Sequence, residues 1–242
     1  MSGVLFFVIL WELAARVFGS SLIFPGPAET LERFVELIFT RRFYDALWSS
    51  FLRVLGGIFT AIPLGIAAGI AAGLDKRVAA FLRPVFSVIS AVPVVSVILI
   101  AFLILGEGQT PVFTAFLMIF PVVSANVIEG ISSTDPKLKE LFISFKMSRK
   151  ETIRYLYIPS LAPFILGAVK SSLSLCWKVV VAAEVLIQPA RSLGAGMQQA
   201  RSYLESPELF AWTGATVLAA AITQGLLSLG IGLFKRHRRK RK

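Results

Sequence analysis

Cysteine and histidine are nearly missing from this chain of 242 residues, which has one of each, Cys176 and His237. A lone cysteine, set in an apolar run, excludes a disulfide framework within the chain. The one histidine lies in the basic C-terminal stretch, so the sequence offers no Ser/His/Asp set and no His/Cys metal cluster. Charge is scarce too. Only 16% of residues are charged, against about 25% in ordinary soluble domains. No GxxxxGK[ST] sequence occurs, so a phosphate-cradling P-loop is absent.

Apolar residues fill the space that charge leaves. The chain is 56% hydrophobic with a mean hydropathy of +0.76, more than a buried core requires. It reads as an all-α, polytopic membrane protein with a single transmembrane domain over residues 1–242. A span needs roughly 20 apolar residues, and six are predicted, at 3–19, 50–73, 84–105, 110–130, 160–187 and 208–234. Pro63, Pro93 and Pro121 lie inside them, where neighbouring helices can re-satisfy the freed backbone. Gly56, Gly57, Gly65, Gly69 and Gly73 give the second span a small face for close helix packing. The first span has the length of a signal peptide, but Glu12 and Arg16 interrupt it and no basic residue precedes it. It is read as retained.

The net charge of +11 is unevenly distributed, with seven Lys or Arg in the last eight positions, KRHRRKRK. Beside a hydrophobic run, that stretch fits anionic lipid headgroups better than nucleic acid. With both termini cytoplasmic, 16 of the 25 basic residues fall on inner segments and seven on outer ones. After the first span, Pro25-Gly26-Pro27 predicts a turn. Residues 30–39 then predict a short amphipathic helix with Leu31, Phe34, Val35 and Ile38 on one face. It is expected to lie flat at the outer interface.

One charged island separates the apolar runs, at 135–163. Asp135 and Pro136 suit a helix cap and first turn. Leu138, Leu141, Phe142 and Phe145 then fall at i, i+3, i+4 and i+7, a single apolar stripe flanked by Lys139, Glu140, Lys146 and Lys150. A turn at Met147, Ser148 and Arg149 precedes a second helical piece to Ile158, and Pro159 and Pro163 mark the start of the fifth span. Such a helix suits a groove on another protein. It suits equally well packing on the ends of the spans, and the residues alone leave both readings open.

The fifth span holds Lys170, Lys178 and Glu184, each costly in hydrocarbon and so a functional candidate. Lys178 and Glu184 stand about 120° apart on a helix and are poor partners for one another. Three readings of Lys178 stand: it lines a path and attracts an anion, it pairs with a carboxylate elsewhere, or it snorkels to an interface. Ser171, Ser172 and Ser174 make this span unusually polar, which marks a pore liner. The path or gate candidates are Lys170, Ser174, Lys178 and Glu184, the last as a gate or a latch; Trp177 reads as packing. An intramembrane enzyme would have to use Glu129 with Glu184, which fall at opposite membrane faces. A scaffold would not need a charged span.

The island resembles the EAA segment of the permease subunits of bacterial ABC importers. Glu140 holds its acidic position and Ile158-Pro159 closes it at the family's distance, while Leu141-Phe142 replace two Ala and Lys146 replaces the usual Gly. Phe24-Pro25-Gly26-Pro27, the run from Ser50 to Gly57 (SFLRVLGG), Ala91-Val92-Pro93, Gly106-Glu107-Gly108, Trp177-Lys178 and Leu209-Phe210-Ala211-Trp212 are similar to the nitrate/sulfonate/taurine branch. The resemblance implies a half-pore that pairs with a second permease copy, a homodimer, in the bacterial inner membrane. It implies two ATPase subunits below and a soluble binding protein outside, with ATP and Mg on the ATPase and no cofactor on this chain. Residues 135–159 would be the coupling segment, with Leu138, Glu140, Leu141, Phe142, Phe145, Lys146, Met147, Ser148 and Arg149 in the ATPase groove. Residues 188–207 resemble the outer gate loop. The chain itself would be no enzyme. The expected cargo is a sulfonate, taurine or nitrate-like anion, with a neutral heterocycle or vitamin precursor as the alternative.

Overall fold

A computed structural model describes residues 2–239, with the side chains of Ser2, Val4, Arg149 and residues 234–239 outside that description. The expectations for the Arg149 side chain and for most of the basic stretch 235–242 therefore lie outside the described residues. The elements in chain order are α1 (Ser2–Phe18), α2 (Pro27–Ile38), α3 (Arg41–Leu74), α4 (Lys76–Ala91), α5 (Val94–Ser132), α6 (Pro136–Ser144) and α7 (Arg149–Thr152). A π-turn (Ile153–Tyr157), α8 (Ile158–Ile187), α9 (Leu193–Ser202) and α10 (Ser206–Arg239) complete them. No strand occurs among the described residues. Among the described residues, four stretches are long and apolar enough to cross a membrane: Arg41–Leu74, Val94–Ser132, Lys150–Ile187 and Ser206–Leu233.

Two breaks differ from the predicted spans, and both have local causes. Residues 84–105 are not one helix, because α4 ends at Ala91 and Val92 is extended (φ −72°, ψ 128°) ahead of Pro93. A proline pushes the preceding residue out of the α region, so Pro93 stops a helix where Pro63 and Pro121 are carried inside α3 and α5. Conversely, α5 runs through the expected loop after residue 105, broken only at Gly106 (φ 73°, ψ −179°). Glycine takes that conformation without steric cost, and it divides α5 into two arms, 94–105 and 107–132.

The residues cluster into two compact units. The first comprises the chain up to Arg53, Phe102–Pro111, and the chain from Val180 onward. Here the Trp11 indole donates to the Pro25 carbonyl (2.9 Å) and stacks on Phe210 at 5.9 Å, while Phe24 meets Phe210 edge-on at 5.4 Å. The α2 helix forms where the Pro25-Gly26-Pro27 turn predicts it, and the face it packs against the protein is not its apolar Leu31/Val35 face. Thr30 and Leu37 are buried, whereas Leu31 and Val35 are exposed. From α2, Arg33 reaches Glu208 of α10, at 2.7 Å.

The second unit comprises Val54–Ala101 and Val112–Val179. Its axis is the glycine face of α3. A Cβ added at Gly57 would lie 2.7 Å from Ala115 Cβ, at Gly65 2.8 Å from Val123 Cβ, at Gly69 2.6 Å from Val127 Cβ, and at Gly73 2.5 Å from Ile131 Cδ1. Each partner lies 58 residues further along the chain. A constant offset, with both members ascending, means that this part of α3 and the second arm of α5 run parallel and in register. The Ser124 hydroxyl adds a polar rung, donating to the Gly65 carbonyl at 3.1 Å. Val127, Ile131 and Leu161 form the buried cluster at one end, with Gly130 pressed against Leu161 and Phe164 of α8.

Candidate functional site

Glu184, near the C-terminus of α8, is fully buried and fully engaged. Arg53 Nη1 of α3 donates to its Oε1 at 2.8 Å, and Ser50 Oγ donates to its Oε2 at 2.8 Å. The backbone N–H of Gly194, in the first turn of α9, donates to the same Oε2 at 3.3 Å. Ser50 Oγ in turn accepts from the Leu193 N–H at 3.0 Å. The carboxylate thus ties together three helices. Glu184 was a candidate from the sequence; its partners Arg53 and Ser50 were not. The signal available for them is their i, i+3 spacing, which puts a cation and a hydroxyl on one face of α3.

A second buried carboxylate, Glu208 at the start of α10, escaped the sequence reading altogether. It accepts from Arg33 (2.7 Å) and from the Trp212 indole (3.1 Å), with Arg42 Nη1 at 3.7 Å. Arg42 also donates to Gln199 of α9 (2.7 Å) and lies 5.5 Å over the Trp212 ring. Gly196 of α9 sits so close to that ring that a Cβ would come within 2.6 Å of it. Both ends of α9 are therefore fastened beside a carboxylate–arginine pair.

Lys178 differs from these anionic sites, being exposed and making no hydrogen bond or ion pair among the described residues. Its neighbours on the open face of α8 are Gly167, Ser171 and Ala182, with Ser174 and Lys170 half-buried alongside. Between Ile158 and Leu186 no large hydrophobic residue of α8 is exposed. The open face of α10 is the opposite, carrying Val217, Leu218, Ile222, Leu226, Leu229 and Leu233. Trp177 and Cys176 are buried and belong to packing.

The charged island folds as its cap residues dictate. Asp135 accepts from the Lys137 N–H at 2.9 Å and opens α6. The helix ends in a Schellman motif: the Met147 N–H donates to the Phe142 carbonyl (3.1 Å) and the Lys146 N–H to the Ile143 carbonyl (2.9 Å). Lys146 takes the left-handed conformation there, with φ 48°. Ser148 and Glu151 then form a reciprocal capping box: the Ser148 N–H reaches Glu151 Oε2 at 2.8 Å and the Glu151 N–H reaches Ser148 Oγ at 3.3 Å. Leu138, Leu141 and Phe145 of the apolar stripe are exposed, at 42, 48 and 72%. Phe142 and Met147 are half-buried, and Glu140 is exposed.

Residues 61–242 match the family described as binding-protein-dependent transport system inner membrane component. The chain is 30% identical to the taurine transport system permease protein of Escherichia coli K12, over 94% of this chain and 83% of that protein. It is 27% identical to the putative aliphatic sulfonates transport permease protein of Bacillus subtilis 168, over 84% and 74% of the two chains. The nitrate import permease protein of Synechocystis is 27% identical over 74% and 68%. An apolar all-helical chain with these relatives is a multi-pass membrane permease, not an enzyme, and it belongs to the family of binding-protein-dependent transport system inner membrane components.

Proposed function

We propose that this chain forms half of the substrate path of an ATP-driven importer of a small anion, with the open face of α8 lining that path. The observation that carries the reading is Lys178. An unpaired ammonium group on a membrane-length helix is expensive in lipid. Its surroundings of Gly167, Ser171, Ser174 and Ala182 suit a water-filled path, where a cation attracts an anion through weakly screened space. The named cargoes of the relatives, taurine, sulfonates and nitrate, each present an anionic group, taurine as the sulfonate of a zwitterion.

The parallel packing of α3 with the second arm of α5 supports a count of six spans. Two consecutive passes in the same direction require a complete return between them. Residues 76–105 supply it, as α4 plus the first arm of α5. With α1, α8 and α10 the count is six, in a single transmembrane domain with both termini cytoplasmic. The motor is a separate ATPase pair that carries ATP and Mg, and this chain binds no cofactor of its own. The exposed stripe Leu138, Leu141 and Phe145 supports docking into that ATPase over packing on this chain's own helices. A second permease copy, bilayer lipid and an external binding protein complete the assembly.

The test is uptake by the assembled importer in proteoliposomes. Lys178→Met is expected to lower uptake of taurine or nitrate at least tenfold, about 1.4 kcal/mol or more in transition-state terms, with co-purification of the ATPase unchanged. Unchanged anion uptake would remove Lys178 from the path, and uptake of neutral heterocycles alone would overturn the cargo class. Replacing Leu141 and Phe142 by Asp is expected to lose the ATPase from the purified complex; a retained ATPase refutes the docking helix.

A further inference from the structure

The N-terminus of α9 is held as much by its neighbours as by itself. Its Leu193 N–H goes to Ser50 of α3 and its Gly194 N–H to Glu184 of α8; only the Ala195 N–H (3.0 Å) and the Gly196 N–H (3.1 Å) are capped locally, by Ser192. The Glu184 carboxylate therefore sits at the positive end of the α9 dipole and beside Arg53 at once. The α9 backbone rests directly on α8, since a Cβ at Gly194 would lie 2.4 Å from Glu184 Cβ. The turn that leads into α9 is strained. Gln188 (φ 51°) and Arg191 (φ 56°) both occupy the left-handed region without being glycine.

Strain in the connection and polar bonds at the seat are the elements of a two-position segment. Apolar packing would hold α9 as well or better, since a buried ion pair adds little over a hydrophobic replacement. What polar bonds add is a single defined geometry that incoming water can dissolve and that reforms when water leaves. We propose that Glu184 is a positioning residue: with Arg53 and Ser50 it forms a latch that seats α9 on α3, and the latch opens and recloses in each transport cycle. Opening relaxes Gln188 and Arg191; closing restores the ion pair. The inference rests on the transport reading above and adds to it the part that moves.

The experiment uses the full importer in proteoliposomes, with Cys176 replaced by Ala so that an introduced thiol is unique. Ala200, on α9 and 1% exposed, becomes the reporter as Ala200→Cys, probed with a membrane-impermeant maleimide. The thiol is expected to be protected at rest and labelled about tenfold faster while ATP, binding protein and taurine drive turnover, as for a locally opened segment. Glu184→Gln is expected to give the fast rate at rest with no further rise on turnover, while Arg53→Lys alone, which keeps a cation beside Glu184, is expected to stay protected at rest. If Glu184→Gln fails to co-purify with the ATPase, Ser50→Ala is measured instead and is expected to give the same fast resting rate. Transport with the thiol protected throughout, or equal resting rates with and without the latch substitution, overturns the latch and leaves the transport reading intact. An importer that moves no anion overturns the transport reading, while the resting rates still report on the latch.

Discussion

The two units of this permease are held by opposite chemistries. In the second, backbone meets side chain along the glycine face of α3, with Val123, Val127 and Ile131 filling the space a Cβ would take. In the first, two buried carboxylates collect arginines, hydroxyls and N–H groups from separate helices. The glycine ladder is dry and register-specific, so it has no cheap alternative arrangement. The carboxylate sites have one, because water can replace each protein partner. Under the latch proposal, rigidity and mobility are thus divided between the units by residue type. Substitutions that exchange the two chemistries test the division.

The largest stability effect is expected at Arg53→Met. It leaves Glu184 buried without its cation, which costs about 3–5 kcal/mol in comparable pairs. The thermal midpoint of the purified complex should fall accordingly. Adding Glu184→Leu should recover most of the loss, because an apolar pair is tolerated where half an ion pair is not. Stability would then return without transport, since a greasy latch does not open. A double variant that transports normally would show that the polar chemistry of the first unit is dispensable.

A smaller effect is expected in the ladder, and it should grade with what each glycine faces. At Gly69 the added methyl meets Val127 Cβ and also the Ser124 carbonyl at 2.8 Å, neither of which can yield. Gly69→Ala should cost about 1–3 kcal/mol. At Gly73 the nearest atom is the flexible tip of Ile131, so Gly73→Ala should cost less. Gly65→Ala should be partly rescued by Val123→Ala and not by Val127→Ala, because the register pairs 65 with 123. Equal losses at Gly69 and Gly73, read as thermal midpoints, would break the ladder description.

How legible each chemistry is in the sequence follows from its range. The small face of α3, the Asp135 cap and the stripe of α6 are local patterns, and all three form as read. The partner of the glycine face is not local, and neither is the partner of Glu184, which lies 131 residues away at Arg53. Helical geometry could exclude Lys178 as that partner but could not nominate Arg53, since nothing in a single chain says which helices touch. Pro93 and Gly106 show a subtler limit. Pro93 reads in the sequence as a proline carried inside a span, as Pro63 and Pro121 are inside α3 and α5, and Gly106 as part of a loop between spans. Whether a proline stops a helix or rides within it depends on what re-satisfies the backbone, and that is tertiary. Glu208 was invisible for another reason: on a helix start a carboxylate reads as ordinary dipole complement, and only the packed structure brings Arg33 and Arg42 to it.

The smallest effect is expected where the two chemistries are both absent, at the exposed end of α6. Lys146 holds a left-handed conformation in which its Cβ crowds the backbone, at a cost of roughly 1–2 kcal/mol for a non-glycine residue. Lys146→Gly removes that crowding but adds freedom to the unfolded chain, so a net gain of about 1 kcal/mol or less is expected. The thermal midpoint should rise slightly. The Schellman bonds from Met147 and Lys146 are backbone-only, so they survive the exchange. A variant that keeps L chirality, Lys146→Ala, should leave stability near that of the parent, because the Cβ and not the ammonium causes the strain. ATPase coupling separates the two roles of this position. If Lys146→Gly stabilises the chain and leaves ATP-driven uptake unchanged, the turn matters only as a stop for α6. If uptake falls in both variants while the midpoint moves only in one, the Lys146 ammonium contacts the motor whether or not the strain is present.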